Sequence, residues 1–235
     1  MNELFLTGGS SDVALEFLRS LPPGPQRVLV HYRRSLDKIL ALKAERPDLD
    51  LVTLPADLSR ADQVAALIAA ARAAGASPDR IVHFAAPKAR SLYFRQCRWE
   101  DFELELDVQL RSIALLLREF LPDMTRRGKG RVVFVLSSYT REAPPQGMSP
   151  YVTAKHALLG LMKSLSVEYA RHGVTVNAVS PALMMTSFLE ELPPRMVELL
   201  GQEARLSPRE VAPVLLTLLS DTSGSITGTN IPIPA

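Results

Sequence analysis

Residues 4–21 read LFLTGGSSDVALEFLRSL, a short apolar run followed by a glycine turn and a helix with one apolar face. This order of apolar strand and helix repeats along the chain. Strands are predicted at 4–6, 28–30, 51–54, 81–84, 132–136 and 174–179. They are continuous apolar runs rather than alternating ones, which is typical of a parallel sheet covered by helices on both faces. The sequence therefore predicts a single doubly wound α/β domain over residues 1–235.

The helices between these strands end at turn-forming residues. They are predicted at 13–21, 36–46 and 61–74, with Asp57 and Ser59 as candidate caps of the third, and at 99–124 and 149–171. The stretch 183–206 is the least regular part. It is rich in Met, Leu and Phe and is predicted to form a mobile substrate lid with a short helix.

The composition of the 235 residues argues against several classes of protein. A formal charge of +2 provides no basic surface for nucleic acid. The single cysteine, Cys97, predicts no internal disulfide and indicates a cytoplasmic, reducing setting. The four histidines show no ligand spacing, so no metal site is expected. No apolar run is long enough for a membrane span, and no signal peptide is expected.

The glycine turn in residues 7–14 has the context of a phosphate site, because backbone N–H groups at a helix N-terminus attract anions. The residues predicted to contact a dinucleotide there are Thr7, Gly8, Ser10 and Ser11. Asp12 and Ala14 stand where the fingerprint of such loops has its second and third glycines. Because an inward carboxylate would repel a pyrophosphate, we expect Asp12 to point outward or to cap the helix. An ordinary strand–turn–helix corner is the alternative.

The most specific pattern is Tyr151-Val152-Thr153-Ala154-Lys155, which begins thirteen residues after Ser138. Tyr151 and Lys155 are four residues apart and share one face of a helix. A nearby ammonium lowers the pKa of a phenol, so Tyr151 can exchange a proton with a carbonyl or alcohol oxygen. Ser138, at the end of a strand, can stabilise charge on the same oxygen. Taken alone, the pair also fits a helix surface and the serine a strand-end cap.

Together these features resemble the short-chain dehydrogenase/reductase family over almost the whole chain, and within it most closely the 3-oxoacyl-(acyl-carrier-protein) reductases. The resemblance implies a Rossmann-type fold and places Lys155 on the nicotinamide ribose. The further cofactor contacts that it implies are Asp57, Ala85, Ala86, Tyr151, Pro181 and Thr186. Gln109 stands where the family has a catalytic asparagine that holds a water in the proton relay to Lys155.

The end of the second predicted strand indicates which dinucleotide binds. NAD sites place an acidic residue there, whereas NADP sites use arginine for the additional phosphate. Arg33 and Arg34 are present and no acid is, which favours NADP(H). A solvated arginine pair at a helix start is the alternative.

The resemblance also implies partners. Helices 99–124 and 149–171 are the family's usual pairing surface, so a homodimer or homotetramer is expected, or a hetero-oligomer with a paralogue. In carrier-dependent relatives an acidic acyl carrier protein meets basic residues in two regions; here these are Arg126, Arg127, Lys129, Arg131, Arg171 and His172. A solvated basic surface explains them equally well.

The leading interpretation is an NADPH-dependent carbonyl reductase acting on a 3-oxoacyl thioester in fatty-acid- or polyketide-like biosynthesis. One alternative is reduction of another ketone, a pterin or a polyketide with the same residues. The other is a degenerate, non-catalytic scaffold subunit. Asp12, Gln109 and a tail without the family's Asp-Gly-Gly favour this last interpretation, and the intact Ser138, Tyr151 and Lys155 oppose it.

Overall fold

The computed structural model describes residues 3–24, 26–203 and 206–234. Within these ranges a parallel sheet has the strand order β3-β2-β1-β4-β5-β6-β7. The strands are β1 (Glu3–Thr7), β2 (Gln26–Tyr32), β3 (Leu49–Pro55), β4 (Arg80–His83), β5 (Gly130–Val135), β6 (Val174–Pro181) and β7 (Asn230–Ile233). The chain reverses its direction of travel across the sheet between β1 and β4, which opens a crevice at their carboxyl ends. The predicted doubly wound sheet is confirmed.

Helices cover both faces of the sheet. They are α1 (Asp12–Arg19), α2 (Leu36–Glu45), α3 (Ala61–Ala73), α4 (Trp99–Leu106), α5 (Ser112–Arg127), α6 (Ser149–Tyr169), α7 (Pro194–Glu203) and α8 (Pro208–Leu219). Phe5 on β1 packs in one buried layer with residues of α3, α5 and α6. Its neighbours Leu4 and Leu6 pack in the other layer with α1, α2 and α8. This two-sided burial explains why the strands are continuously apolar.

The predicted helix over 99–124 is divided by a π-helical turn at Asp107–Arg111. Such turns insert an extra residue into a helix and are frequent at functional sites. Gln109 lies in this turn and is fully buried. Periodicity could not reveal it, because the apolar spacing on either side of the turn is that of an ordinary helix.

Two other details of the helices and strands differ from what the sequence suggested. β7 was not predicted, because a four-residue segment containing Pro232 has no strand pattern. Proline is tolerated there because β7 is an edge strand. Helix α3 begins at Ala61 without a side-chain cap, so Asp57 and Ser59 do not cap it. Instead, Asp57 accepts hydrogen bonds from the amide (3.0 Å) and hydroxyl (2.7 Å) of Ser59.

The predicted lid at 183–206 contains a 3-10 turn at Ser187–Leu189 and helix α7. Residues 204 and 205 of this segment lie outside the described residues. The mobility of the lid stays a prediction.

Candidate active site

A cavity of about 460 Å³ lies at the carboxyl ends of the strands, against the first residues of α1 and beneath the lid. Most of the predicted site residues line it: Gly8, Ser10, Ser11, Arg33, Arg34, Asp57, Ala85, Ala86, Tyr151, Lys155, Pro181 and Thr186. Three predicted residues are not in its lining: Thr7, Gln109 and Ser138. The sheet therefore brings residues from six different strand ends to one elongated site.

The loop after β1 is held tightly against the next strand. Gly8 has a φ of +68°, and a Cβ there would lie 2.8 Å from the backbone N and Cα of Ala85. Only glycine fits this position without a shift of the backbone. Ser11 caps α1 by accepting a hydrogen bond from the Ala14 amide at 3.3 Å. The N-terminus of α1 therefore faces the cavity with its amides available to an anion.

His31 fixes this loop from the end of β2, a role that the sequence did not suggest. The Gly8 amide donates to His31 Nδ1 at 3.0 Å, and His31 Nε2 donates to the Ala56 carbonyl at 3.0 Å. The ring is therefore neutral with its proton on Nε2. Burial lowers the pKa of His31 to about 4, despite a hydrogen bond to Ala56 that favours the charged form.

Asp12 does not adopt either of the orientations expected from the sequence. Ser11 is the cap, and the Asp12 carboxylate lines the cavity. It accepts a hydrogen bond from the Ser187 amide in the lid at 2.7 Å and pairs with Lys38 at 3.1 Å. Burial opposes the charged form, but these partners outweigh it and hold the pKa of Asp12 below its usual value. Two tertiary partners far away in sequence thus decide where the carboxylate points.

One end of the cavity is cationic. Arg33 and Arg34 follow β2, Lys38 comes from α2, and all three line the cavity with Asp57. Burial raises the pKa of Asp57, but hydrogen bonds from Ser59 and the two arginine charges outweigh it, so the pKa is lowered. This end of the cavity holds three cations and two carboxylates, Asp12 and Asp57. Its net positive charge suits phosphate groups.

Tyr151 and Lys155 lie on α6 at the other end, and both are buried. Lys155 Nζ is 5.4 Å from the centroid of the Tyr151 ring and donates to the Val135 carbonyl at 2.8 Å. Burial lowers the pKa of Lys155 to about 8. Burial also raises the pKa of Tyr151, so the predicted lowering by the ammonium is not seen in this state. The phenol is protonated at neutral pH and is suited to donate a proton.

The serine beside the tyrosine is Ser137 rather than the predicted Ser138. Ser137 lines the cavity, and its hydroxyl hydrogen-bonds the Tyr151 side chain. Ser138 is the first residue of a 3-10 turn that Ser137 caps through the Tyr139 amide at 3.3 Å. Sequence spacing alone did not distinguish between these two neighbouring serines.

Thr7 and Gln109 lie behind the cavity wall. The Thr7 hydroxyl hydrogen-bonds His83 Nδ1 at 2.6 Å in the core. Gln109 donates from Nε2 to Glu105 Oε2 at 2.5 Å. Both side chains are fully buried, so they support the site from behind.

The lid closes over the reactive end. Phe188 packs against the Tyr151 ring with the centroids 5.3 Å apart, and its carbonyl accepts from the Ala89 amide at 2.8 Å. Lys88 donates to the Ser187 carbonyl at 2.5 Å and pairs with Glu190 at 3.0 Å. The lid therefore covers one side of the Tyr151 ring.

Two features are absent from the described residues. No group of three or more His, Cys, Asp or Glu side chains is arranged to hold a metal ion. None of the helices in the described ranges combines the length and apolar character needed to cross a membrane.

Three features define the class of this protein. They are the doubly wound parallel sheet, the helix N-terminus at its switch point, and the buried Tyr–Lys pair at the far end of the cavity. Together they are typical of the nucleotide-dependent oxidoreductases. The residues fit a dinucleotide, because Ser10 and Ser11 at the start of α1 line one part of the cavity and the cations Arg33, Arg34 and Lys38 line another.

Comparisons with known proteins identify the family within this class. A family model described as enoyl-(acyl carrier protein) reductase matches residues 24–234. The chain is 28% identical over 250 residues to the D-beta-hydroxybutyrate dehydrogenase of Rhizobium meliloti, covering 96% of this chain and 94% of the relative. It is 33% identical over 136 residues to a 3-oxoacyl-(acyl-carrier-protein) reductase of Rickettsia felis, covering 56% of each. The solved structure of levodione reductase matches with a TM-score of 0.86 at 25% identity, over 99% of this chain and 95% of that one.

The chain belongs to the short-chain dehydrogenase/reductase family. It is an oxidoreductase of the kind that interconverts CH–OH and C=O groups with a nicotinamide dinucleotide.

Proposed function

We propose that this protein is an NADP(H)-dependent carbonyl reductase. The observation that carries the proposal is Tyr151, a protonated phenol beside Ser137 and Lys155, at one end of a cavity whose other end holds Arg33 and Arg34. A protonated phenol in this position can donate a proton to a carbonyl oxygen, as the reductive direction requires.

The preference for NADP(H) rests on charge. Arg33 and Arg34 present planar, permanently charged donors to the cavity, and Lys38 adds a third cation. The last residues of β2 include no carboxylate to bind a ribose hydroxyl, and the nearby Asp57 is already engaged by Ser59. A phosphate on the ribose would meet two forked donors.

Each part of the chain has a defined task in the reaction. Gly8, Ser10 and Ser11 would hold the phosphates, while Tyr151 and Lys155 would lie along the nicotinamide ribose. The bound dinucleotide supplies the hydride. Tyr151 donates its proton to the carbonyl oxygen as negative charge develops there, and the Ser137 hydroxyl donates a hydrogen bond to the same oxygen. Phe188 keeps water away from both.

A 3-oxoacyl chain is the proposed substrate class. The names of two relatives, a 3-oxoacyl reductase and a β-hydroxybutyrate dehydrogenase, both place the reacting oxygen on the third carbon of an acyl chain. The reactive end of this cavity is lined by Leu183, Met184 and Phe188, which suit an acyl chain.

An acyl carrier protein and an oligomeric state extend the proposal. In the predicted basic region, Arg131 is buried against backbone carbonyls and Lys129 is only partly exposed, so a carrier would meet mainly the exposed Arg126, Arg127 and Arg171. Arg126 also pairs with Asp123, and Arg127 donates to the Ser77 and Pro78 carbonyls. On the predicted pairing helices, Trp99 is 64% exposed and Val167 81%, as apolar residues of a self-association surface would be in a lone subunit. The thiol of Cys97 is free, and free thiols persist in reducing compartments, so the proposed location is the cytoplasm.

The test starts with binding. Purified protein is titrated with NADPH and with NADH by fluorescence, and reduction of a 3-oxoacyl thioester is then measured, free and carrier-bound. We expect tight NADPH binding, weak NADH binding and turnover that Tyr151→Phe abolishes without loss of NADPH binding. A folded protein that binds neither dinucleotide would contradict the proposal and favour the scaffold alternative. Equal rates for the free and the carrier-bound thioester would show that an acyl carrier protein does not take part in recognition of the substrate.

A further inference from the structure

A buried carboxyl group that the proposed reaction does not use lies just before the π-helical turn. Glu105 lies on the last turn of α4, and only 7% of its surface is exposed. Its Oε2 accepts a hydrogen bond from Gln109 Nε2 at 2.5 Å. A glutamate buried among packed helices is costly unless it is neutral or matched by partners. The burial of Glu105 therefore indicates a role other than packing.

Glu105 faces the proton-donating pair. It lines a small cavity of about 20 Å³ together with Tyr151, Pro150 and Gly147. The positive charge of Lys155 acts on Glu105, and the charge of Glu105 acts in turn on both Lys155 and Tyr151. The carboxyl group thus shares a cavity with Tyr151 and interacts electrostatically with Lys155, the two residues between which a proton must move.

The other charged groups around Glu105 come from two directions. Lys88 and Arg90, in the loop after β4, line the same small cavity, and Asp101 lies one turn earlier on α4 itself. Arg90 favours the charged form of Glu105 and pairs with Glu191 of the lid at 3.2 Å. This set of side chains marks the route by which a proton could reach Glu105 from the surface.

Gln109 connects the carboxyl group to the rest of the site. Its amide donates to Glu105, whereas its Oε1 has no hydrogen-bond partner within the described part of the chain, although it is fully buried. A buried amide oxygen needs a donor, and a Lys155 ammonium proton or a bridging water would satisfy it. The extra residue of the π-helical turn leaves Gln109 buried in this position.

The pKa values of Glu105 and Lys155 suit the transfer of a proton between them. Burial raises the pKa of Glu105 to about 7, although Gln109 and Lys155 oppose the rise. Burial lowers the pKa of Lys155 to about 8. Two buried groups with such similar proton affinities can share a proton near neutral pH at little cost.

We propose that Glu105, linked through Gln109, is a positioning and proton-supplying residue that returns the proton to Lys155 after each reduction. The proposal rests on the proposed function. Tyr151 gives its proton to the alkoxide formed when hydride reaches the carbonyl carbon. The phenolate takes a proton from the Lys155 ammonium, and the neutral amine takes one from the Glu105 carboxylic acid, leaving a carboxylate. Solvent protonates this carboxylate before the next cycle, so the protons balance.

The test is the pH profile of kcat for ketone reduction in wild type and Glu105→Gln. The amide fills the same space but holds no exchangeable acidic proton. We expect kcat of the variant to be about tenfold lower near pH 6 and close to wild type near pH 9, where the wild-type carboxyl group is ionised. Glu105→Asp should restore part of the pH dependence. Glu103→Gln, exposed on the same helix, serves as the matched control.

A second readout does not depend on turnover. Infrared difference spectra of wild type against Glu105→Gln should show a carboxylic acid that titrates near pH 7. A loss of kcat by the same factor at every pH, unchanged kcat, or a carboxyl group that titrates in the ordinary range would each overturn the proposal. If wild type binds no NADPH, the proposed function itself fails and the role of Glu105 fails with it. Normal NADPH binding with an unaffected Glu105→Gln variant overturns the relay alone.

Discussion

The Asp12 carboxylate accepts a hydrogen bond of 2.7 Å from the backbone amide of Ser187, across 175 residues of sequence. One residue belongs to the first turn of the helix that faces the cavity, and the other to the lid above the reactive end. Lys38 completes the arrangement by pairing with the same carboxylate at 3.1 Å. Asp12 therefore joins the phosphate loop to the lid and places a negative charge in the cavity that is proposed to take the cofactor.

Removing this charge should strengthen cofactor binding. Asp12→Asn keeps an oxygen that can accept from Ser187 but removes repulsion of the phosphates worth about 1 kcal/mol, or about fivefold in Kd for NADPH. A fluorescence titration measures the change. Asp37→Asn, an equal charge change at an exposed position on α2, should have a much smaller effect. Weaker NADPH binding in Asp12→Asn would contradict the expectation and would show that the tie to the lid matters more than the charge.

The arginines after β2 should determine the choice of dinucleotide. Arg33→Ala or Arg34→Ala removes charged donors to a ribose phosphate, each worth about 1.5–3 kcal/mol, so Kd for NADPH should rise at least about tenfold. Kd for NADH should change little. Parallel titrations with both dinucleotides measure this, and Arg60→Ala, which loses only an exposed pair with Asp62, is the control. Equal losses for the two dinucleotides would show that these arginines do not read the phosphate.

The two neighbouring serines should behave differently. Ser137→Ala removes the hydroxyl that contacts Tyr151, and kcat for ketone reduction should fall by about 10²–10³, the usual effect of losing one donor to a developing oxyanion. Ser138→Ala should leave kcat within about twofold, because that side chain does not line the cavity. The two variants control for each other. A larger loss in Ser138→Ala would restore the assignment that sequence spacing suggested.

Acid should destabilise the fold through His31. Its folded pKa is about 4, below the ordinary value of 6.5, so between these pH values the unfolded chain binds more protons. The stabilisation is complete above pH 6.5 and is lost as the pH falls toward 4, by about 3 kcal/mol. His83, whose pKa burial lowers to about 3, contributes in the same direction.

Denaturant unfolding at several pH values measures this effect. His31→Gln should flatten the dependence between pH 4 and 6.5, whereas His156→Gln, an exposed histidine on α6, should leave it as in wild type. An unchanged slope in His31→Gln would mean that His31 is not the buried neutral group described. The variant should also weaken NADPH binding, because the ring fixes the Gly8 amide.

Local sequence rules succeeded where one segment specifies its own structure. Apolar runs and turn residues located strands β1 to β6, and the four-residue spacing of Tyr151 and Lys155 placed both on one helix face. They failed where the deciding partner is distant or the backbone departs from regularity. Ser137 rather than Ser138 lines the cavity, and the π-helical turn around Gln109 has no periodic signature.

The sequence by itself determined the doubly wound sheet, the glycine loop and the Tyr–Lys pair, because strand burial, turn conformation and helical spacing are properties of short segments. Only the tertiary structure decided the direction of Asp12, the role of His31 and the place of Glu105 in a cavity that it shares with Tyr151. Each of these depends on groups that come together from distant parts of the chain. Their energies arise from burial and from hydrogen bonds that exist only once the sheet and helices have packed.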